Sequence, residues 1–120
     1  MPTIVVVEDQ PDNLKLFTAL LTMKGHSVIG LEGGDQLTEI VQAKHPALIL
    51  LDIQLPGRDG FALLEDLRTV KGDHPWKVIA LTAHAMPGDR EAALAAGFDG
   101  YITKPIDVRS FAAEVARYLG

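Results

Sequence analysis

No cysteine occurs in the 120 residues. Disulfides, thiol catalysis and thiolate metal sites are thereby excluded, and the composition fits a reducing compartment. Basic residues are outnumbered, 11 against 16 acidic, leaving a net charge of −5. A domain of that sign is repelled by phosphate backbones, which argues against direct nucleic-acid binding. No apolar run is long enough for a membrane span, and the opening "MPTIVVVED" lacks the basic segment of a signal peptide. Linkers and low-complexity stretches are missing as well. What is present is 48% hydrophobic residues, enough at this length for one core. The expectation is a single cytoplasmic domain over residues 1–120.

Two apolar periods alternate along the chain. Short runs at Thr3–Val7, Ser27–Leu31, Ala47–Leu51, Lys77–Leu81 and Gly100–Thr103 read as strands. The third, "ALILL", has no polar alternation and predicts burial on both faces. Between the runs lie stretches of helical spacing: Leu14, Phe17, Leu20 and Leu21; Leu37, Ile40 and Val41; Phe61, Leu64 and Leu67; the Ala-rich "GDREAALAAG"; and Phe111, Val115 and Tyr118. Gly25, Gly72 and Gly97 are suited to ending helices, and Asp107 to capping the last. Five strand–helix units of this length predict right-handed crossovers and a parallel sheet covered on both sides, a doubly wound α/β domain.

Ligands of open α/β sheets bind beyond the carboxyl ends of the strands. Four of the five units place a polar group there: Glu8 and Asp9 after "VVV", Asp52 after "ALILL", Thr82 in "IALTA", and Lys104 in "YITKP". The second unit, ending "GLEGG", is the exception, which suggests an edge strand. Three carboxylates in one pocket need a cation, since like charges at close range resist joint ionisation. An all-oxygen set without His or Cys suits a hard ion such as Mg²⁺. A divalent ion, a lysine and a hydroxyl around one carboxylate are what a transferring phosphoryl group requires. Asp52 therefore reads as a phosphoryl acceptor.

The ordered set Glu8/Asp9, Asp52, Thr82 and Lys104-Pro105 resembles the receiver domain of two-component response regulators, from Thr3 to about Leu119. "LPGRDG" and "LTAHAMPGD" are similar to the family's usual text, and "DIQLP" with "TAHAMPGD" resembles the DivK group of single-domain regulators. The resemblance implies a flavodoxin-like (βα)5 three-layer sandwich, its five parallel strands in the order 2-1-3-4-5. It implies Asp52 as the phosphorylated residue, with Mg²⁺ held by Asp9, Asp52 and the main-chain carbonyl of Gln54, and by Glu8 mainly through water. Thr82 and Lys104 would contact the phosphoryl oxygens, with Ala83 leaving the entry open. Thr82 and Tyr101 would form a switch, Gln54 and His84 would tune dephosphorylation, and the bond before Pro105 would be cis.

The implied partners are a histidine kinase or histidine phosphotransfer protein upstream, and a protein target on the face of the fourth helix, fifth strand and last helix. Tyr101, Ile106, Val108 and Arg109 would lie on that face, and a phosphorylation-linked dimer is a further expectation. No membrane and no nucleic acid are expected as partners. The chain ends one residue after the fifth helical pattern, so no DNA-binding or enzymatic domain is expected, and it is read as catalysing only its own phosphorylation and dephosphorylation.

Plainer readings stand beside these. Glu8 and Asp9 could cap the first helix, a role also assigned to Asp12 and Asn13 in "EDQPDN". Tyr101 could be ordinary packing. His26, His45 and His74 are scattered in turn regions and suggest no zinc site. A phosphatase of the haloacid dehalogenase type would want an acid at Gln54, and a flavodoxin-like nucleotide binder a phosphate cradle where "EDQPDN" stands. A receiver-fold module that only binds partners is opposed by the intact acceptor set. A receiver excised from a hybrid histidine kinase or larger regulator is the alternative setting for the same site.

Overall fold

The computed structural model describes residues 3–53, 60–70, 76–82, 88–104 and 106–119. Strands and helices alternate as the periodicity predicts: β1 Thr3–Val7, α1 Pro11–Met23, β2 Ser27–Leu31, α2 Leu37–Lys44, β3 Leu48–Asp52, α3 Gly60–Val70, β4 Lys77–Thr82, α4 Asp89–Ala96, β5 Gly100–Thr103 and α5 Phe111–Leu119. The strands form one parallel sheet in the order β2-β1-β3-β4-β5. This is the doubly wound order implied by the resemblance.

Alternation along each strand sorts the apolar side chains into two layers. Val5, Val7, Ile49, Leu51, Val78 and Ala80 pack with α2, α3 and α4 through Val41, Leu64, Leu67 and Ala93. Their neighbours Ile4, Val6, Leu48, Leu50, Ile79 and Leu81 pack with α1 and α5 through Phe17, Leu21, Phe111 and Val115. Phe17 and Phe111 stack at 5.2 Å between ring centres, which ties α1 to α5. β3 is buried at every residue, whereas β2 is partly exposed and lies at the sheet edge, as expected.

Some local expectations are corrected. The third strand is Leu48–Asp52, one residue later than the apolar run, because Asp52 still pairs with Leu81 of β4. α1 starts from Gln10 without a side-chain cap, and Pro11 supplies a φ already suited to its first turn. Asp12 accordingly sits inside that turn, where a carboxylate favours the helix dipole, and neither it nor Asn13 is the cap. The expectation for Asp107 holds: its carboxylate accepts the Arg109 N–H at 2.9 Å and its main-chain carbonyl accepts the Phe111 N–H, the bonds of a capping residue at the turn leading into α5. Gly25 and Gly97 end their helices as predicted, and Gly72 lies outside the described residues. No helix among the described residues is long and apolar enough to cross a membrane.

Candidate functional site

The sheet register brings the polar strand ends together. Val7 pairs with Leu51, so the residues that follow, Glu8 and Asp52, are neighbours on the same side of adjacent strands. The Ile53 N–H donates to the Leu81 carbonyl at 3.0 Å, holding the end of β3 against β4. The Lys104 N–H donates to the Thr82 carbonyl at 2.7 Å, which holds the end of β5 against β4. Three backbone ends are thus fixed before any side chain acts.

Lys104 then closes the constellation. Its ammonium donates to Glu8 Oε1 at 2.9 Å and to Asp52 Oδ2 at 3.1 Å. Glu8 and Asp52 are almost wholly inaccessible, and the lysine side chain is only 12% exposed. The second Glu8 oxygen accepts the Gln10 main-chain N–H at 3.1 Å. Asp9 is half-buried, and one oxygen from each of Glu8, Asp9 and Asp52 lies within 4.8 Å of the others.

Burial pushes the Glu8 carboxyl above its ordinary value, against the opposing hydrogen bonds from Lys104 and Gln10. For Lys104 burial acts downward, but its hydrogen bonds to Glu8 and Asp52 outweigh this and hold the ammonium above its ordinary value. The lysine is thus held charged, while one ammonium does not cancel three carboxylates. An excess of hard oxygen donors at this spacing fits Mg²⁺.

The remaining sequence candidates divide. Thr82 is fully buried, and by strand alternation it shares the face of Val78 and Ala80. Tyr101 pairs with Ala80 and packs, half-buried, on that same cluster. Thr82 and Tyr101 are therefore on one side of the sheet, on adjacent strands. Of the supposed output residues, Val108 and Arg109 are exposed, whereas Ile106 packs partly buried against the α1–α5 layer. Gln54, Ala83, His84 and Pro105, and with them the expected ligand carbonyl and cis bond, lie outside the described residues. Sequence reading missed the Gln10 N–H, because every residue but proline carries that donor and only the turn after β1 aims it.

Comparison with known proteins follows the same lines. Residues 4–116 match the response regulator receiver domain. The polar-differentiation response regulator DivK of Brucella ovis is 39% identical over 98% of this chain and 96% of its own length. The sensor protein GacS of Pseudomonas syringae pv. syringae is 37% identical over 99% of this chain, which spans only 14% of that relative. Among solved structures, the receiver domain of a sensor histidine kinase from Pseudomonas aeruginosa, with a magnesium ion coordinated in its active site cleft, superposes with a TM-score of 0.86. It is 32% identical, and the match covers 99% of this chain and 98% of that one. The BeF3-activated N-terminal receiver domain of Klebsiella pneumoniae RstA gives 0.85 at 32% identity over 98% of this chain and 97% of that one. Sequence match and fold agree along nearly the whole length, and the chain belongs to the response regulator receiver domain family.

Proposed function

We propose that this protein is the phosphoacceptor of a two-component phosphorelay, with Asp52 as the site of modification. The observation that carries the reading is the Lys104 ammonium bridging two buried carboxylates beside a third. In the step proposed, an Asp52 carboxylate oxygen attacks the phosphorus of a phosphohistidine on a histidine kinase or phosphotransfer protein. The P–N bond breaks, its electron pair stays on the imidazole nitrogen, and that nitrogen takes a proton. Asp52 needs no general base, since a carboxylate is already the nucleophile.

In this reading Lys104, held charged beside Asp52, contacts the phosphoryl oxygens, and the Thr82 hydroxyl donates to one of them; the Lys104–Asp52 bond supports the first part. Mg²⁺, when bound by Asp9, Asp52 and the Gln54 carbonyl, would supply charge neutralisation for the same oxygens. Both Glu8 oxygens accept protein hydrogen bonds, which suits an indirect part in metal binding. Ala83 at the entry, a cis Pro105 and tuning of dephosphorylation by Gln54 and His84 belong to the same proposal. In it the protein turns over no separate substrate and works in the cytoplasm. Its output is a protein target or a second copy, bound through the face of α4, β5 and α5 after a Thr82–Tyr101 switch.

Incubation with acetyl phosphate and Mg²⁺, followed by borohydride trapping and peptide mapping, tests the assignment. Label is expected on Asp52, and robust labelling of Asp52→Asn protein overturns it. A second setting, a receiver within a longer hybrid kinase, is favoured by the 37% identity to GacS over nearly the whole chain. The full reading frame decides between the two.

A further inference from the structure

α4 is lightly seated: among its described side chains only Ala93 is buried, while Arg90, Glu91, Ala92, Leu94 and Ala95 are exposed. It begins from Gly88, with no side-chain cap among the described residues. At the other end the Gly97 and Phe98 N–H groups donate to the Leu94 and Ala93 carbonyls, each at 3.1 Å. The Arg68 guanidinium reaches across from α3 and donates to the carbonyl of Ala96, where a cation is favoured by the helix dipole. Gly97 has φ +116°, and a Cβ there would run into that guanidinium. The positive φ favours glycine at this position, and a larger side chain would push the Arg68 guanidinium off the helix end.

A second grip lies beside the first. Buried Phe98 meets Phe61 of α3 edge-on, at 5.6 Å and 84°. α3 in turn starts against the candidate site. The Gly60 N–H donates to the Ile53 carbonyl at 3.1 Å, and a Cβ on Gly60 would fall 2.6 Å from Ile53 Cα, one residue after Asp52.

We infer that Arg68 is a positioning residue for α4, pinning its C-terminal end to α3 so that the helix reorients by pivoting about Gly97. A helix with few buried side chains is free to open locally, and its fixed end determines which part of its surface moves. The resting-state half of this inference stands by itself; the pivot rests on the phosphoacceptor reading.

Hydrogen exchange read by mass spectrometry on the full chain tests it. In resting protein, Arg68→Met should speed exchange of the Gly97 and Phe98 amides by about 2- to 5-fold, the range for one cation at a helix end, without change in α1. Arg68→Lys should restore part of the protection. Unchanged rates at Gly97 and Phe98, or an equal rise across all helices, overturns the anchor.

With beryllofluoride and Mg²⁺ added, the change in wild type should be confined to the N-terminal part of α4 and should spread to Gly97 and Phe98 only in Arg68→Met. Trp76, the single tryptophan, lines a cavity of about 40 Å³ with Arg68, Gly97 and Asp99. Its emission should respond to beryllofluoride in Arg68→Met but not in wild type. A wild-type response as large at Gly97 as at Ala92 refutes the pivot. If beryllofluoride changes nothing anywhere, the phosphoacceptor reading and the pivot fall together, and the resting comparison still decides the anchor.

Discussion

Lys104 and Arg68 both reach across element boundaries, and they do so under opposite conditions. Lys104 is 12% exposed and faces carboxylates that are 0% and 2% exposed. Arg68 is 47% exposed, and its acidic partner Glu65, three residues away on the same helix, is 72% exposed. Water screens the second pair, so its worth is small and lies in placing the α4 end. The first trio is far less screened by water. The ammonium and the two carboxylates compensate one another's burial, so removing the lysine leaves two like charges buried together. Burial rather than distance is what separates the two.

The largest expected break in that comparison is chemical. Asp52→Asn should abolish labelling by acetyl phosphate while Arg68→Met labels at close to the wild-type extent, as read from intact mass. Loss of labelling in Arg68→Met would erase the distinction.

Next comes stability. Lys104→Met leaves Glu8 and Asp52 buried without their cation and should cost about 3–5 kcal/mol at neutral pH in metal-free buffer. Arg68→Met should cost about 1 kcal/mol or less. Urea unfolding of both variants measures the gap. Equal costs would mean that burial does not set the difference.

Magnesium sharpens the picture further. The acidic excess predicts that Mg²⁺ stabilises the fold by linkage, by about 1.4 kcal/mol at ten times Kd. Asp9→Ala should lose most of that gain while keeping the Lys104 bridges. A full Mg²⁺-dependent rise in melting temperature in Asp9→Ala would remove Asp9 from the metal centre.

The smallest effect is the pH dependence in metal-free buffer. Burial raises the Glu8 carboxyl in the folded protein above 4.5. The folded state therefore binds that proton more tightly than the unfolded state. Its stabilising contribution is complete below pH 4.5 and is lost as pH rises through the raised value. Lys104, raised above 10.5 by the two carboxylates against its burial, keeps its contribution until pH passes 10.5 and climbs through the raised value. The stability of wild type relative to Glu8→Gln should accordingly decline as pH rises from 4.5 toward neutrality. A rising difference would contradict the sign.

Most of the fold was legible from periodicity, because a strand buried on both faces must be apolar throughout and a covering helix apolar on one side. β1, β2 and β5 lie at the expected residues, and β3 shifted only because Asp52 continues the ladder. Helix starts were less legible. Asp12, Asn13 and Asp107 are all good capping residues by type, yet only Asp107 makes capping bonds, because Pro11 starts α1 one residue before Asp12. That Glu8, Asp9, Asp52, Thr82 and Lys104 stand at strand ends was readable from residue types at the ends of apolar runs, and the structure groups the three acids with Lys104. The Arg68 link to α4 was not readable, since a surface arginine carries no local signal of a carbonyl 28 residues away.

The order of apolar and polar residues therefore determined by itself that this chain forms five strand–helix units with acids, a hydroxyl and a lysine at the strand ends. Hydrophobic burial depends on local period, which a sequence displays directly. Only the tertiary structure decided that Lys104 bridges Glu8 and Asp52, that Gln10 takes the second Glu8 oxygen, and that Thr82 and Tyr101 share a face. Those facts depend on register between strands far apart in the chain. Register is set by long-range pairing, which no window of sequence contains.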